Sequence, residues 1–358
     1  MNLSDLRNQI DAVDDELLKL LNRRMEYVHK VGELKRTSNT LIYRPEREKQ
    51  IVDRLASQSD GLLKRNAIES IFMEIFAVSR NLELPERIAY LGPEGSFTHQ
   101  AAESRFGGVS DYLVLPTIRS VFDSVETGRA KFGVVPIENN QEGVVSETVD
   151  LLREKELLIA SEVYLSVHFS FVSRHDNLKE IKRIYSKDIA FRQCSKFILE
   201  YFDEANIELI PVESTSKAAR MAAKEPGSAA ICSDIAARLA NIPVLFDNIE
   251  DGAQNTTRFL VLSKDFVNQK SNRDKTTILA NLHDTNKPGT LFKFLKEFNS
   301  RGVNLTQIES RPLKQGSTFL YWFLVEFEGH FNDEPIQEIL ALYGSRIKLL
   351  GSYVNGAR

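Results

Sequence analysis

Apolar residues near the start of the chain recur at alternating steps of four and three: Leu6, Ile10, Val13, Leu17, Leu20, Tyr27, Val31 and Leu34, with Arg24 filling one slot of the series. That spacing draws one apolar stripe along a single helix face, in the manner of a coiled-coil seam. Ser4 can cap such a helix, and Asp5 in its first turn suits the positive end of the helix dipole. About thirty residues of helix extend for about 45 Å at 1.5 Å per residue. Little else in this part of the chain is available to cover so long a stripe. A second copy of the chain is therefore expected to bury it.

The stripe ends at a polar break over residues 37–40. Pro45 suits the first turn of a second helix that runs to about Ser57. A third helix is expected from Arg65 to Leu82, and Pro85 cannot continue it. From Arg87 the pattern changes to short apolar strands alternating with helices. Residues 88–91 form a strand that leads into a turn and a helix near His99, and 132–137 form another strand. Continued to about Leu262, this alternation implies an α/β domain with a largely parallel sheet, long enough for two lobes with a cleft between them. Residues 266–274 are polar and read as a linker. The tail then runs strand, helix, strand, strand, helix, strand, which is the order of a ferredoxin-like motif. The fold class is thus multidomain: an all-α segment over 1–84, a two-lobed α/β segment over 87–265 and an α+β segment over 275–355.

Charge narrows the function. With 46 Lys and Arg against 50 Asp and Glu, the formal net charge is −4, which gives no general attraction to nucleic acid or to an anionic membrane. Any site for an anionic substrate must then be a local cluster of basic residues. The two cysteines, Cys194 and Cys232, are too few for a disulfide framework and suit a reducing compartment. The N-terminus has no apolar signal core, and no apolar run approaches the roughly 18 residues that span a bilayer. A cytoplasmic protein is expected.

Arg24 is the anomaly of the seam, because an unpaired buried charge is costly there. It can snorkel or pair with an acidic neighbour, or it can belong to a pocket. Three features favour a pocket. Lys35, eleven residues on, lies only about 20° around the helix from Arg24. Arg47 and Glu48 open the next helix near that end, and Ser79 and Glu83 share one face of the third at a spacing of i, i+4. Together they describe a basic, partly desolvated site for a small polyanion. Arg7 lies seventeen residues before Arg24, about 25 Å along the axis, and can reach such a site only on an antiparallel partner helix.

The stretches Leu6-Arg7, Arg23-Arg24, Val31-Gly32-Glu33-Leu34-Lys35 and Arg44-Pro45-Glu46-Arg47-Glu48 resemble the all-helical chorismate mutases over nearly all of residues 3–84. The resemblance implies an intertwined homodimer in which Arg7 of the partner, Arg24 and Arg47 hold the carboxylates of chorismate. Lys35 and Glu83 would flank its ether oxygen, Glu48 would bind the ring hydroxyl and Ser79 would line the pocket. The implied reaction is pericyclic and needs neither nucleophile nor cofactor. It needs a compact conformer and stabilisation of negative charge growing on the ether oxygen. Arg44 stands where many members have Asp, and Glu83 where some have Gln. A carboxylate facing a developing oxyanion is repulsive, so Glu83 would have to carry a proton in order to donate a hydrogen bond.

In the second segment, Gly92-Pro93-Glu94-Gly95-Ser96-Phe97-Thr98 places the Ser96 and Thr98 hydroxyls and backbone N–H groups at a helix start, where a carboxylate can sit. Taken alone it also fits an ordinary capped turn. Val135-Pro136-Ile137-Glu138-Asn139 puts polar groups at the C-terminal end of a strand, the usual place for ligands in open α/β sheets. Asn255-Thr256-Thr257-Arg258-Phe259 precedes another apolar strand. In this order the three motifs resemble prephenate dehydratases over roughly residues 87–265, and so does Gln193-Cys194 downstream of Ser186. The stretch 187–192 departs from the family's usual sequence. By resemblance Thr257 stands at the leaving hydroxyl of prephenate, with Glu138 the candidate source of its proton. Asn139, Ser186 and Gln193 would orient the substrate. Arg258 can bind a carboxylate or brace the loop.

In the third segment, Gly302-Val303-Asn304-Leu305-Thr306-Gln307-Ile308-Glu309-Ser310-Arg311-Pro312 resembles the signature of the ACT domains attached to these dehydratases, and residues 286–292 occupy the other effector loop. The resemblance implies phenylalanine as a feedback effector, bound by Gly289, Thr290 and Leu291 together with Glu309, Ser310 and Arg311. A purely structural dimerisation module is the plainer alternative. For the whole chain, an arogenate dehydratase and a non-catalytic phenylalanine sensor are the competing functions. No metal or cofactor is implied, and the expected assembly is a homodimer or a higher homo-oligomer.

Overall fold

A computed structural model of the chain describes residues 2–38, 44–83, 86–202, 207–252, 255–282, 287–313 and 320–356, apart from the side chains of 35–38. Pro85 and residues 39–40 of the expected polar break lie outside the described residues. By internal packing the chain divides into two units: residues 1–86 with 106–111, and residues 87–105 with 112–358.

The first unit is built on α1 (Leu3–Ser38), α2 (Pro45–Gln58) and α3 (Arg65–Glu83). α1 is 36 residues long, so it runs further than the seam alone implies. Thr37 and Ser38 stay helical because polar side chains weaken a helix without ending it. Pro45 sits in the first turn of α2, as its fixed φ and missing N–H favour. α2 and the C-terminal part of α1 both pack on α3, and Val52, Ile68, Phe76 and Ala77 are buried. The α1–α3 approach is close at Gly32, where an added Cβ would lie 3.1 Å from the Glu83 Cα, so a larger residue would push the helices apart. Toward the N-terminus the seam is bare. Leu6, Ile10, Val13, Leu17 and Leu20 are between 44% and 59% exposed in a single chain.

The second unit opens with β1 (Arg87–Leu91), α4 (Phe97–Phe106), β2 (Asp111–Leu115), α5 (Ile118–Glu126), β3 (Phe132–Asn139), β4 (Gly143–Val144), α6 (Ser146–Glu154) and β5 (Leu158–Ser166). The chain then enters a second lobe through β6 (Ser170–Ser173), β7 (Arg183–Ser186), α7 (Asp188–Gln193), α8 (Ser195–Tyr201), β8 (Glu208–Pro211), α9 (Thr215–Ala222), β9 (Ser228–Cys232), α10 (Asp234–Ala240) and β10 (Val244–Phe246). It returns to the first lobe with β11 (Thr256–Ser263). The strand orders are β2-β1-β3-β11-β5, with β4 on β3, in the first lobe and β10-β6-β9-β7-β8 in the second.

The two-lobed arrangement agrees with the sequence-based expectation, but the sheets are mixed rather than largely parallel. β1 runs parallel to β3, while β11 lies antiparallel to both β3 and β5. Because β11 arrives from the second lobe, it enters the centre of the first sheet from the opposite end. The second lobe has its own core of Phe169, Phe171, Ile184, Phe197 and Ile231.

A third sheet follows from β12 (Asp274–Ala280), α11 (Thr290–Ser300), β13 (Leu305–Leu313), β14 (Leu320–Glu328), α12 (Glu334–Tyr343) and β15 (Ile347–Val354), in the order β13-β14-β12-β15. One face of this antiparallel sheet packs with α11 and α12 through Phe294, Phe298, Phe327 and Ile339. Its other face shares a core with the first lobe, where Leu260 and Leu262 meet Trp322, Leu324 and Tyr353. The segment 266–274 is therefore packed and not a free linker. Phe266 and Asn268 are buried, and the Asn268 Nδ2 donates to the carbonyls of Ala160 and Ser352 at 2.7 and 3.0 Å.

Candidate active sites

In the first unit, α1 and α3 bring Arg24, Ser79 and Glu83 together. The Arg24 Nη1 donates to the Ser79 Oγ at 2.5 Å, and that hydroxyl passes its own hydrogen to the Ile75 carbonyl at 2.6 Å. The guanidinium also lies 5.8 Å from the centre of the Phe76 ring, in cation–π range. Glu83 is buried one turn beyond Ser79. Burial holds the Arg24 guanidinium below its usual pKa, and the Glu83 carboxylate works against that shift.

The remaining members of the expected cluster are less closely gathered. Glu48 is ion-paired with Arg80, a buried arginine the sequence reading did not single out. Its signal was present: Arg80 follows Phe76 by four residues on the buried stripe of α3. Arg44 pairs with Glu46 at 2.9 Å, and Arg47 is exposed. Lys35 belongs to α1, but its side chain lies outside the described residues. Arg7 is exposed in the N-terminal part of α1, well away from Arg24 on the same helix.

In the second unit, β3 ends where β11 begins. Asn139 stands opposite Thr257, and Glu138 opposite Arg258. The Asn139 Nδ2 donates to the Thr257 Oγ1 at 2.8 Å and to the Asn255 Oδ1 at 2.7 Å. Its own Oδ1 accepts from the backbone N–H groups of Gln141 and Glu142, at 2.9 and 3.0 Å, which fixes the orientation of the amide. Because Asn139 fills an acceptor position on Thr257, the hydroxyl hydrogen remains available to a third group. Gln193 reaches across from the second lobe and donates to the Gln141 Oε1 at 3.0 Å.

The turn after β1 lies at the same end of the sheet, since β1 and β3 are parallel. Ser96 Oγ accepts from the His99 N–H at 3.2 Å and donates to the Leu91 carbonyl at 3.2 Å, so it serves α4 as a cap. Thr98 is buried in the first turn of that helix. Gly95 has φ +80°, which favours glycine, and its carbonyl accepts from the Ser233 Oγ of the second lobe at 2.8 Å.

Two sequence-based expectations need correction. Glu138 does not stand beside Thr257. A bulge between Arg258 and Phe259 leaves Ile137 as an extra residue in β3, and successive side chains on a strand point to opposite faces. Glu138 consequently shares the face of its cross-strand partner Arg258, while Thr257 and Asn139 occupy the other.

Arg258, for which the sequence left open a carboxylate ligand or a brace, is placed in a buried ionic network. It is 4% exposed, and its guanidinium donates to Glu162 at 2.8 Å, Glu326 at 2.6 Å and the Gln307 Oε1 at 3.0 Å. Lys275 joins the same carboxylates, at 2.6 Å from Glu162 and 3.3 Å from Glu326. Burial opposes charge on Arg258, yet the Tyr353 hydroxyl and the Glu326 and Glu162 carboxylates outweigh it and raise its pKa. Burial likewise opposes charge on Glu326, but Arg258 and Lys275 hold it below the usual carboxylate range. Removing one member of so buried a network would cost about 3–5 kcal/mol, because its partners would be left uncompensated.

Ser186, lastly, is wholly buried. Its hydroxyl donates to the Ile231 carbonyl at 2.7 Å, which ties β7 to β9 and leaves it with a role inside the sheet.

The residues expected to hold an effector lie on α11 and β13. Gly289, with φ +83°, precedes α11, and Thr290 and Leu291 open the helix. Asn286 lies outside the described residues. On β13 the exposure alternates: Gln307, Glu309 and Arg311 are half-buried, whereas Ile308 and Ser310 are exposed. The Arg311 guanidinium donates to the Ser146 Oγ at 2.9 Å and to Asp150 at 3.3 Å, both on α6.

The sequence model of the type II chorismate mutases matches residues 6–84, and that of the prephenate dehydratases matches residues 88–266. A bifunctional chorismate mutase/prephenate dehydratase from Aquifex aeolicus is 37% identical over 358 residues, covering 98% of this chain and 97% of that protein. Its counterpart from Pseudomonas aeruginosa is 35% identical over 360 residues, with 98% and 97% covered. The crystal structure of a prephenate dehydratase from Arthrobacter aurescens in complex with L-phenylalanine superposes with a TM-score of 0.66 at 32% identity, covering 75% of this chain and 90% of that one. With both domain types present in this order, and relatives aligned along almost the entire chain, the protein belongs to the bifunctional chorismate mutase/prephenate dehydratase family.

Proposed function

We propose that the chain makes phenylpyruvate, the precursor of phenylalanine, in two steps: its helical unit rearranges chorismate to prephenate, and its α/β unit converts prephenate to phenylpyruvate. The observation that carries the first step is the Arg24–Ser79–Glu83 cluster, a cation and hydrogen-bonding groups gathered on two packed helices. A dianion entering there meets the guanidinium of Arg24, and the rearrangement proceeds without covalent help from the protein. Glu83→Gln keeps a hydrogen-bond donor beside the ether oxygen and should retain mutase activity, whereas Glu83→Ala should lower kcat for chorismate. An unchanged kcat in E83A would remove Glu83 from the mechanism.

The second step rests on the Asn139–Thr257 pair. In prephenate the bond from the ring to its carboxylate breaks, the electron pair enters the ring, and the C4 hydroxyl leaves as the ring becomes aromatic. Thr257, with Asn139 already donating to its oxygen, turns its hydrogen toward that departing hydroxyl and stabilises the charge developing on it. Thr257 keeps its proton as a hydrogen-bond donor, and the departing hydroxide takes a proton from solvent to leave as water, since Glu138 lies on the opposite face of the sheet. The first turn of α4, which Ser96 caps and Thr98 joins, supplies a place for a carboxylate, and Gln193 borders the same end from the second lobe.

The bare seam of α1 supports a homodimer. Burying five such aliphatic side chains would contribute about 1.5–3 kcal/mol each, and an antiparallel partner would carry its Arg7 toward Arg24. No helix among the described residues is long and apolar enough to cross a membrane, and both cysteines are free and buried, which fits a reducing cytoplasm. The C-terminal sheet, with its βαββαβ order, is a ferredoxin-like ACT module that binds phenylalanine as feedback inhibitor. The relative solved with L-phenylalanine supports that reading. Phenylalanine titrated against dehydratase activity should inhibit at or below millimolar concentration. Unchanged activity there would leave the module a purely structural one.

A further inference from the structure

Thr257 and Asn139 share one face of the first-lobe sheet, and the residues beside them on the same two strands face the C-terminal sheet. There a single side chain bridges the strands. The Gln307 Oε1 accepts from the Arg258 Nη1 at 3.0 Å, and its Nε2 donates to the Glu138 Oε2 at 3.2 Å. Arg258 and Glu138 are themselves 3.9 Å apart at their nearest charged atoms, beyond a direct hydrogen bond. The amide therefore closes a gap that the two charges leave open. It does so at the register pair adjacent to Thr257 and Asn139, and just past the bulge, where the ladder is locally disrupted.

We propose that Gln307, contributed by β13 of the C-terminal sheet, is a positioning residue of the dehydratase site. It clamps β3 to β11 from behind and so holds Thr257 and Asn139 at their working separation. The dehydratase site is then incomplete without the C-terminal sheet, although that sheet contributes no group to the substrate. Glu309, Ser310 and Arg311 follow on the same strand, so a ligand that shifted β13 would shift the clamp.

The sequence makes the clamp testable by exchanging its donor and acceptor. Gln307→Glu keeps an acceptor for Arg258 but sets a second carboxylate against Glu138, which opens the bridge. Adding Glu138→Gln restores one donor and one acceptor between the strands. Gln307→Met keeps the length of the side chain and makes neither bond.

This inference rests on Thr257 being the group at the leaving hydroxyl. In the full chain, Q307E and Q307M should each lower kcat for prephenate about tenfold to a hundredfold with KM little changed, because the displaced hydroxyl matters in the transition state. Mutase activity should stay at the wild-type level in the same preparations. The pair E138Q/Q307E should recover kcat to within about threefold of wild type, given the usual coupling energy of residues that share a network. Wild-type kcat in both single variants would overturn the proposal, and so would a loss in Q307E that E138Q does not restore. Thr257→Ala, assayed alongside, separates the two readings. Retained dehydration in T257A removes the site assignment itself, whereas a dead T257A beside unaffected Gln307 variants removes only the clamp.

Discussion

Replacing Thr257 by alanine is expected to lower prephenate dehydration by about 10²- to 10⁴-fold, the usual contribution of a positioned acid or base, while chorismate rearrangement continues at the wild-type rate. The size of the effect follows from what the hydroxyl does. Departure of hydroxide from C4 places charge on an oxygen, where a fixed donor is worth more than the water that would replace it. Asn139 already donates to Thr257, so the hydroxyl has its hydrogen free for the leaving group. Alanine removes that donor and leaves the Asn139 amide without one of its two acceptors. Serine in the same place should retain much of the activity, since it keeps the Oγ and loses only the β-branch that limits rotation. Steady-state assays of both reactions on one preparation read the result. Loss of both activities in a folded T257A chain would contradict separate sites.

The second large effect is expected at Arg24. Arg24→Ala should lower kcat/KM for chorismate by about 10- to 150-fold, the scale of a charge-assisted hydrogen bond of about 1.5–3 kcal/mol, and leave dehydration of supplied prephenate untouched. The guanidinium is half-buried, with Ser79 as its partner, so the protein has already met part of the cost of holding the charge away from water. A bound carboxylate would repay that cost. Arg24→Lys should fall between, because an ammonium cannot make the planar paired contacts of a guanidinium. A melting profile measured beside the kinetics separates the chemistry from packing. If R24A lost stability but kept its kcat/KM, Arg24 would be a structural residue that pairs within the helices.

Those two expectations were legible in the sequence for different reasons. Arg24 stood out because it interrupts an apolar period, and one-dimensional spacing alone places Ser79 and Glu83 on one face of α3. Thr257 was reached by resemblance of its motif, since a threonine at a strand entrance carries no signal of its own. The errors are equally specific. Glu138 was assigned to Thr257 along with the resemblance of its motif, but neighbouring residues on a strand take opposite faces, and which of Glu138 and Asn139 faces Thr257 depends on a cross-strand register 118 residues away in the chain. Ser186 reads like any polar residue ending a strand, and only the packing of β7 against β9 shows that its hydroxyl is sealed inside.

Long-range pairing accounts for most of what was hidden. Arg80 and Glu48 are 32 residues apart in the chain, and Arg258 and Glu326 are 68 apart. Neither pair has a local signature. The antiparallel insertion of β11 could not be read either, because it depends on the chain leaving the first lobe and returning. Residues 266–274 looked like a linker from their polarity, yet Asn268 uses that polarity to satisfy two backbone carbonyls in the interior. Helix periods and the strand–helix alternation, by contrast, are local and were readable, although the cap of α1 was misplaced: the helix begins at Leu3, and Asn2, not Ser4, caps it by accepting from the Asp5 N–H at 2.9 Å.

The most direct test of the whole account is to give the purified full-length chain chorismate alone and follow chorismate, prephenate and phenylpyruvate with time. The account predicts that chorismate disappears and phenylpyruvate forms with no other enzyme present, after a lag in which prephenate rises and falls. Chorismate left unchanged, or prephenate that accumulates without turning into phenylpyruvate, would contradict it.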